Sequence, residues 1–279
     1  MSTRRVAVVA TLAVVVLAAC SSATTPIARI GSSAGSIGLG EQRVLIVLQD
    51  PETNELLASE DLAATATLRD EDGTPLGTVE LEFLWTVPDS VGIYVGYFDF
   101  PEEGIYQLSV KAGALNETGP VGFQVVSDPL VVGVGDPAPQ SETRTEAEFP
   151  DLSVISSDPS PDPSFYDTSV ATAVTNGSPS VLVFATPAFC TSAACGPMLD
   201  QVKALSGQYP GVDFVHIEVY EDLQVQSLED LTVVDAALEW ALPSEPWVFV
   251  VDRQGVVVAA FEGAFNDREL TSALDALAP

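Results

Sequence analysis

Between residues 41 and 126 the chain repeats one pattern: a short run of β-strand type, then a turn. The runs are Arg43–Gln49, Ala64–Arg69, Thr78–Trp85, Val91–Phe98, Ile105–Lys111 and Gly122–Val126. Asp70-Glu71-Asp72-Gly73, Pro88-Asp89 and Pro101-Glu102-Glu103-Gly104 punctuate them. Alternation is clear in Tyr94–Phe98 and Ile105–Val110, and it sends successive side chains to opposite faces of a strand, one to bury and one to expose. Short strands at this spacing predict a small all-β antiparallel sandwich. The segment contains no cysteine, no histidine and no cluster of catalytic type, so a spacer or interaction module is expected.

Within it, the stretch GIYVGYFDFPEEGIYQLSV resembles the closing hairpin of immunoglobulin-like extracytoplasmic modules. That resemblance implies an immunoglobulin-like architecture for residues 41–130 and says nothing about a ligand.

The pattern changes downstream. Residues 131–164 are dense in Pro, Ser and acid and predict a linker. From 165 to 279 helical and strand patterns alternate. A helix is expected over 165–174, ended by Asn176-Gly177. The apolar run Ser180–Ala185 suits a buried central strand. Met198, Val202, Leu205 and Tyr209 share one helical face, and Gly207 marks that helix's end. Val212–Tyr220 reads as a strand and Leu231–Leu242 as a helix. Trp247–Asp252 and Val256–Phe261 flank Arg253-Gln254-Gly255 as a hairpin. Asn266 with Glu269 is a capping signature for a last helix carrying Leu270, Leu274 and Leu277.

The N-terminus reads as a targeting segment. Arg4-Arg5 precede the uncharged run 6–19, which is too short to span a bilayer but suits a signal-peptide core. Leu17-Ala18-Ala19-Cys20 resembles a bacterial lipobox. The resemblance implies cleavage after residue 19, lipidation of Cys20, a polar tether over 20–40, and a folded part on the extracytoplasmic face of the cell membrane. Disulfides persist in that compartment. Acidic residues outnumber basic ones 40 to 10, for a net charge of −30. Such a surface repels phosphate backbones, so no nucleic-acid partner is expected. No phosphate-binding loop or other cofactor motif is present, and no cofactor is expected.

With Cys20 assigned to the anchor, Cys190 and Cys195 in PAFCTSAACGPM are the remaining pair. They could serve as a redox couple, a structural staple or a metal clip. His216 is the only histidine; in mid-strand it reads as a core residue more readily than as a copper ligand.

VLVFATPAFC, with a cysteine shortly after a buried strand, resembles the thioredoxin pattern, as does Cys195-Gly196-Pro197 at a helix entrance. The resemblance covers residues 165–279 and is to thioredoxin-like and redoxin-like bacterial lipoproteins. It implies an α/β thioredoxin-like fold and a thiol–disulfide oxidoreductase acting on protein thiols or disulfides. Cys190 would be the attacking thiol, Cys195 the resolving thiol, and Pro246 the cis-proline shaping the docking face. Three departures stand out. Residues five apart on a helix point about 140° from each other, so 191–194 must form a loop for the cysteines to meet. Phe184 stands where the family carries a buried Asp, and Glu245 brings a carboxylate beside Pro246. The alternatives are a non-enzymatic binding or scaffold lipoprotein with a structural disulfide, and a copper-handling protein.

Overall fold

The computed structural model describes residues 24–225 and 228–277. The signal segment and Cys20 lie outside the described residues.

Seven antiparallel strands build the first unit: β1 Ile27–Ile30, β2 Gly40–Gln49, β3 Ala64–Arg69, β4 Pro75–Val87, β5 Val91–Phe100, β6 Gly104–Ala112 and β7 Val121–Val125. They are ordered β1-β2-β5-β4-β3-β6-β7. The thirteen-residue β4 joins two layers. Its first half pairs with β3, up to Ala64 opposite Leu81; its second half pairs with β5, from Glu82 opposite Val95. With β1 lying against β7, the sheet curls into a barrel-like, immunoglobulin-like sandwich. Alternate residues fill it: Val44, Ile46 and Leu48 from β2, Ala64, Ala66 and Leu68 from β3, Tyr94 and Phe98 from β5, Leu108 and Val110 from β6. The Tyr94 hydroxyl donates to the carbonyl of Leu62 at 2.6 Å, which satisfies its one buried polar atom.

The second unit is a four-stranded sheet ordered β11-β10-β8-β9, from β8 Ser180–Phe184, β9 Asp213–Ile217, β10 Trp247–Val251 and β11 Val257–Glu262. β8 runs parallel to β9 and antiparallel to β10. Both of its faces are covered, which is why its strands are continuous apolar runs. On one face lie α2 Cys195–Ser206 and α4 Asp267–Asp275, with Met198, Leu199, Val202, Leu270 and Leu274 against Val181, Val183, Val248 and Val250. On the other lie α1 Val170–Ala173, α3 Asp235–Glu239 and Trp240. The segment 131–164 is laid along this unit. Gly135 N–H donates to Val257 O, Ala138 N–H to Gly255 O, and Ile155 enters the core.

The α/β thioredoxin-like class expected for residues 165–279 is corrected here. The protein is predominantly β, with eleven strands and four short helices among the described residues. Two of the expected helices are shortened for identifiable reasons. In 165–174, Asp162 and Ser169 each cap a separate turn, giving a 3-10 turn at Pro163–Tyr166 and the single-turn α1. In 231–242, Ala241 takes a φ of 51° and Leu238 projects into solvent, so the helical stretch is cut to α3.

The two units meet across the outer face of β2, β4 and β5. Leu45, Leu84, Ile93 and Val95 face away from the sandwich core and enclose Ala264, from the loop between β11 and α4. Arg43 anchors this contact. Its Nε lies 2.7 Å from Glu269, and its other nitrogens donate to the carbonyls of Glu262 and Ala264. Glu269 also accepts from the Tyr97 hydroxyl and closes the capping box of α4 with Asn266. Burial alone would raise the Glu269 carboxyl, but Arg43, Tyr97 and the Asn266 N–H together hold it below its ordinary value.

The Arg43–Glu269 side chains are 11% and 6% exposed, against 71% and 44% for Arg268–Glu82 in the same interface. Arg43→Ala strands a buried carboxylate and is expected to lower stability by about 3 kcal/mol. Arg268→Ala is expected to leave the urea midpoint where it is, because an exposed pair contributes little. Parallel denaturation curves of the two variants check this contrast.

Candidate functional site

β8 ends at Phe184, and the chain turns through Pro187-Ala188-Phe189 to reach Cys190. Cys190 and Cys195 are joined in a disulfide with Cα atoms 6.0 Å apart. The intervening residues form a loop, not helix. Ala193 has a φ of 58°, and its N–H returns to the Cys190 carbonyl at 3.2 Å. This local reversal lets a C-x4-C pair close. Cys195 is fully buried as the first residue of α2, whereas Cys190 is half-buried. The Cys195 N–H donates to Cys190 Sγ at 3.2 Å, one of the free N–H groups that a helix start offers.

Pro246 is buried after a cis Glu245–Pro246 bond. Glu245 points toward the disulfide: one of its carboxylate oxygens and the two sulfurs all lie within 4.8 Å of one another. The Glu245 carboxylate also accepts from the Thr186 N–H at 2.6 Å. A second acid, Glu218, accepts from the Ser157 N–H at 2.5 Å and from its hydroxyl at 3.1 Å. The Ser157 oxygen in turn takes the Ala188 N–H of the cysteine turn. Burial pushes both carboxyls up to about 7; Ser157 opposes this for Glu218, where the charge of Glu245 adds to it.

His216 lies behind this layer with both nitrogens occupied. Nε2 is 2.9 Å from the Ala185 carbonyl, which only an N–H can satisfy, so Nδ1 accepts from the Tyr166 hydroxyl at 2.6 Å. Burial pushes its pKa down to about 4, so the ring is neutral. Phe184 sits on the opposite face of the sheet from the disulfide, packed against Trp240 and Phe249. Lys203, whose charge also acts on His216, is engaged by Asp158 and Asp200.

The structure therefore brings Cys190, Cys195 and Pro246 to one place and adds Glu245 and Glu218, while Cys20 falls outside the described residues. Sequence reasoning overlooked Glu218. Its signal was faint: an acid in FVHIEV, one residue past the end of the strand that pairs with β8.

Glu218 has a pKa raised from 4.5 to about 7 by folding, so the native chain holds its proton more tightly than the unfolded one. Its contribution is complete below about pH 4.5 and is lost as pH rises through about 7. His216, shifted the other way, contributes most above its unfolded value and loses it as pH falls toward 4. Glu218→Gln keeps an acceptor for Ser157 without the charge. Relative to wild type, this variant is expected to be more stable at about pH 8 than at about pH 5, and the His216 effect cancels in that comparison. Urea denaturation of both proteins at the two pH values tests the sign.

No protein-family model matches the sequence, and no curated protein does. Among solved structures, the chain is similar to the Lin-41 filamin domain, at 18% identity and a TM-score of 0.25, over 38% of this chain and all of that one. It is similar to the TIG domain of human nuclear factor of activated T-cells, cytoplasmic 4, at 11% identity and 0.26, over 38% of this chain and 92% of that one. It is also similar to a conjugative transposon lipoprotein from Bacteroides eggerthii, at 12% identity and 0.20, over 36% and 95%. None of these is of thioredoxin type. The predominance of strands sets aside the resemblance to thioredoxin-like and redoxin-like lipoproteins. What stands is an immunoglobulin-like β domain and a second unit that holds a disulfide.

Proposed function

We propose that this chain is a non-enzymatic binding or scaffold protein, in which the immunoglobulin-like domain is the contact module and Cys190–Cys195 is a staple. The observation that supports it best is the setting of the disulfide. Cys195 is fully buried at the start of α2, and the bond pins the turn that leads from β8 into that helix. The anchored interface with the first unit fits the same reading, because it fixes the contact module to a stapled base.

The residues 1–20 support an anchored location, with Cys20 lipidated and the folded part outside the cytoplasm. Cys20→Ala is expected to move the chain from the membrane fraction to the soluble fraction, read by fractionation of the producing cells. Retention in the membrane would sink the anchor.

A disulfide that closes so short a loop contributes about 2 kcal/mol through the unfolded chain. Reduction, or Cys190→Ser, is expected to lower stability by about that amount and leave the fold intact. The oxidised chain is expected to show no turnover with a model protein disulfide and a dithiol donor. Turnover that Cys190→Ser abolishes would replace the scaffold reading with thiol–disulfide exchange.

A further inference from the structure

The disulfide has a third donor beside it. Glu245 reaches in beside it, and one of its oxygens and the two sulfurs lie within 4.8 Å of one another. We propose that the reduced chain binds a zinc-type divalent cation through Cys190 Sγ, Cys195 Sγ and Glu245, with the fourth position open to water. The inference is independent of the scaffold reading, which concerns the oxidised chain.

The geometry suits the ion. Tetrahedral zinc holds thiolates at about 2.3 Å and a carboxylate oxygen at about 2.1 Å, which places neighbouring donors roughly 3.5–3.8 Å apart. Breaking the S–S bond requires the sulfurs to separate by less than about 2 Å to reach that spacing. Cys195 is fixed in α2, but Cys190 lies at the half-buried start of the 190–194 turn, where a side-chain rotation suffices. The donor set also selects the metal class: two thiolates with one carboxylate suit zinc, whereas Cu(I) prefers sulfur alone. His216 takes no part, because both of its nitrogens are bonded within the core.

The electrostatics need a cation. The N-terminal N–H groups of the twelve-residue α2 favour thiolates at Cys190 and Cys195. The same thiolates face Glu245, with Glu218 next to it, while Lys203 is held by Asp158 and Asp200. A divalent ion converts that repulsion into ligation. The chemistry balances with a dithiol as reductant. Two electrons and two protons pass to the sulfurs as the dithiol closes to its own disulfide, and metal binding then displaces the two thiol protons.

The test uses the full-length chain, reduced with dithiothreitol, desalted without oxygen and titrated with Co(II) as a spectroscopic stand-in for zinc. The expected result is one Co(II) per chain with sulfur-to-cobalt charge-transfer and tetrahedral d–d bands, displaced by Zn(II). The oxidised chain should show none of this, and Cys190→Ser should lose it. Glu245→Gln keeps an acceptor for the Thr186 N–H, so its fold should hold in both redox states, as near-ultraviolet circular dichroism will show. Its affinity should fall about tenfold or more. The proposal is overturned if the reduced chain lacks the charge-transfer band, if the oxidised chain binds equally well, or if Glu245→Gln binds as tightly as the parent.

Discussion

One guanidinium anchors the relation between the two units. Arg43 sits on β2, a strand of the sandwich, yet its nitrogens are used up by the other unit: the Glu269 carboxylate and the Glu262 and Ala264 carbonyls. Arginine suits this role because its planar fork carries five donors and keeps its charge when covered. The same Glu269 closes the N-terminal box of α4. The same ion pair therefore links the start of a helix to the docking of a domain. Removing either partner costs more than the pair adds, since the survivor stays buried and charged.

That pair works only because the sheet beneath it is apolar on both faces. In β2, Val44, Ile46 and Leu48 fill the sandwich, while Leu45, with Val47 behind it, meets the second unit. β5 does the same with Tyr94 and Phe98 inside and Ile93 and Val95 outside. A strand facing water shows alternation; one buried on both sides shows a continuous run. The run VLIVL at 44–48 is thus the sequence trace of a domain interface.

This explains what could be read in advance. The six short runs fall on strands, with Val126 one residue past β7, because strand preference is set locally by adjacent residues. The hairpin at 253–255 and the Asn266–Glu269 box were legible for the same reason: each is set by a few adjacent residues. Strand β1 was hidden in a Ser- and Ala-rich segment, because only Ile27 and Ile30 mark it and β2 supplies its pairing. The helices over 165–174 and 231–242 were over-read. Apolar spacing suggested long helices, but capping side chains and a left-handed Ala241 decided where turns stop. The thioredoxin resemblance failed differently. It rested on an alternating helix–strand order read from patterning and on a short cysteine motif, and such a match speaks for a turn before it speaks for a fold.

The candidate site carries the remaining tension in the molecule. With forty acidic residues to place, the chain leaves most in water, where they repel weakly, but puts Glu218 and Glu245 together behind a disulfide. Structural need alone accounts for part of this. Glu218 satisfies two donors of Ser157, which in turn holds the N–H of Ala188, and Glu245 satisfies the N–H of Thr186. Neutral amides would meet those donors at lower electrostatic cost. The carboxyls answer by keeping their protons up to about pH 7, which removes the charge that burial penalises. A disulfide is the compatible neighbour for such a pair, because it is neutral and needs no proton. Reduction ends that compatibility: it sets thiolates favoured by the start of α2 against carboxyls that only a proton or a cation can quiet.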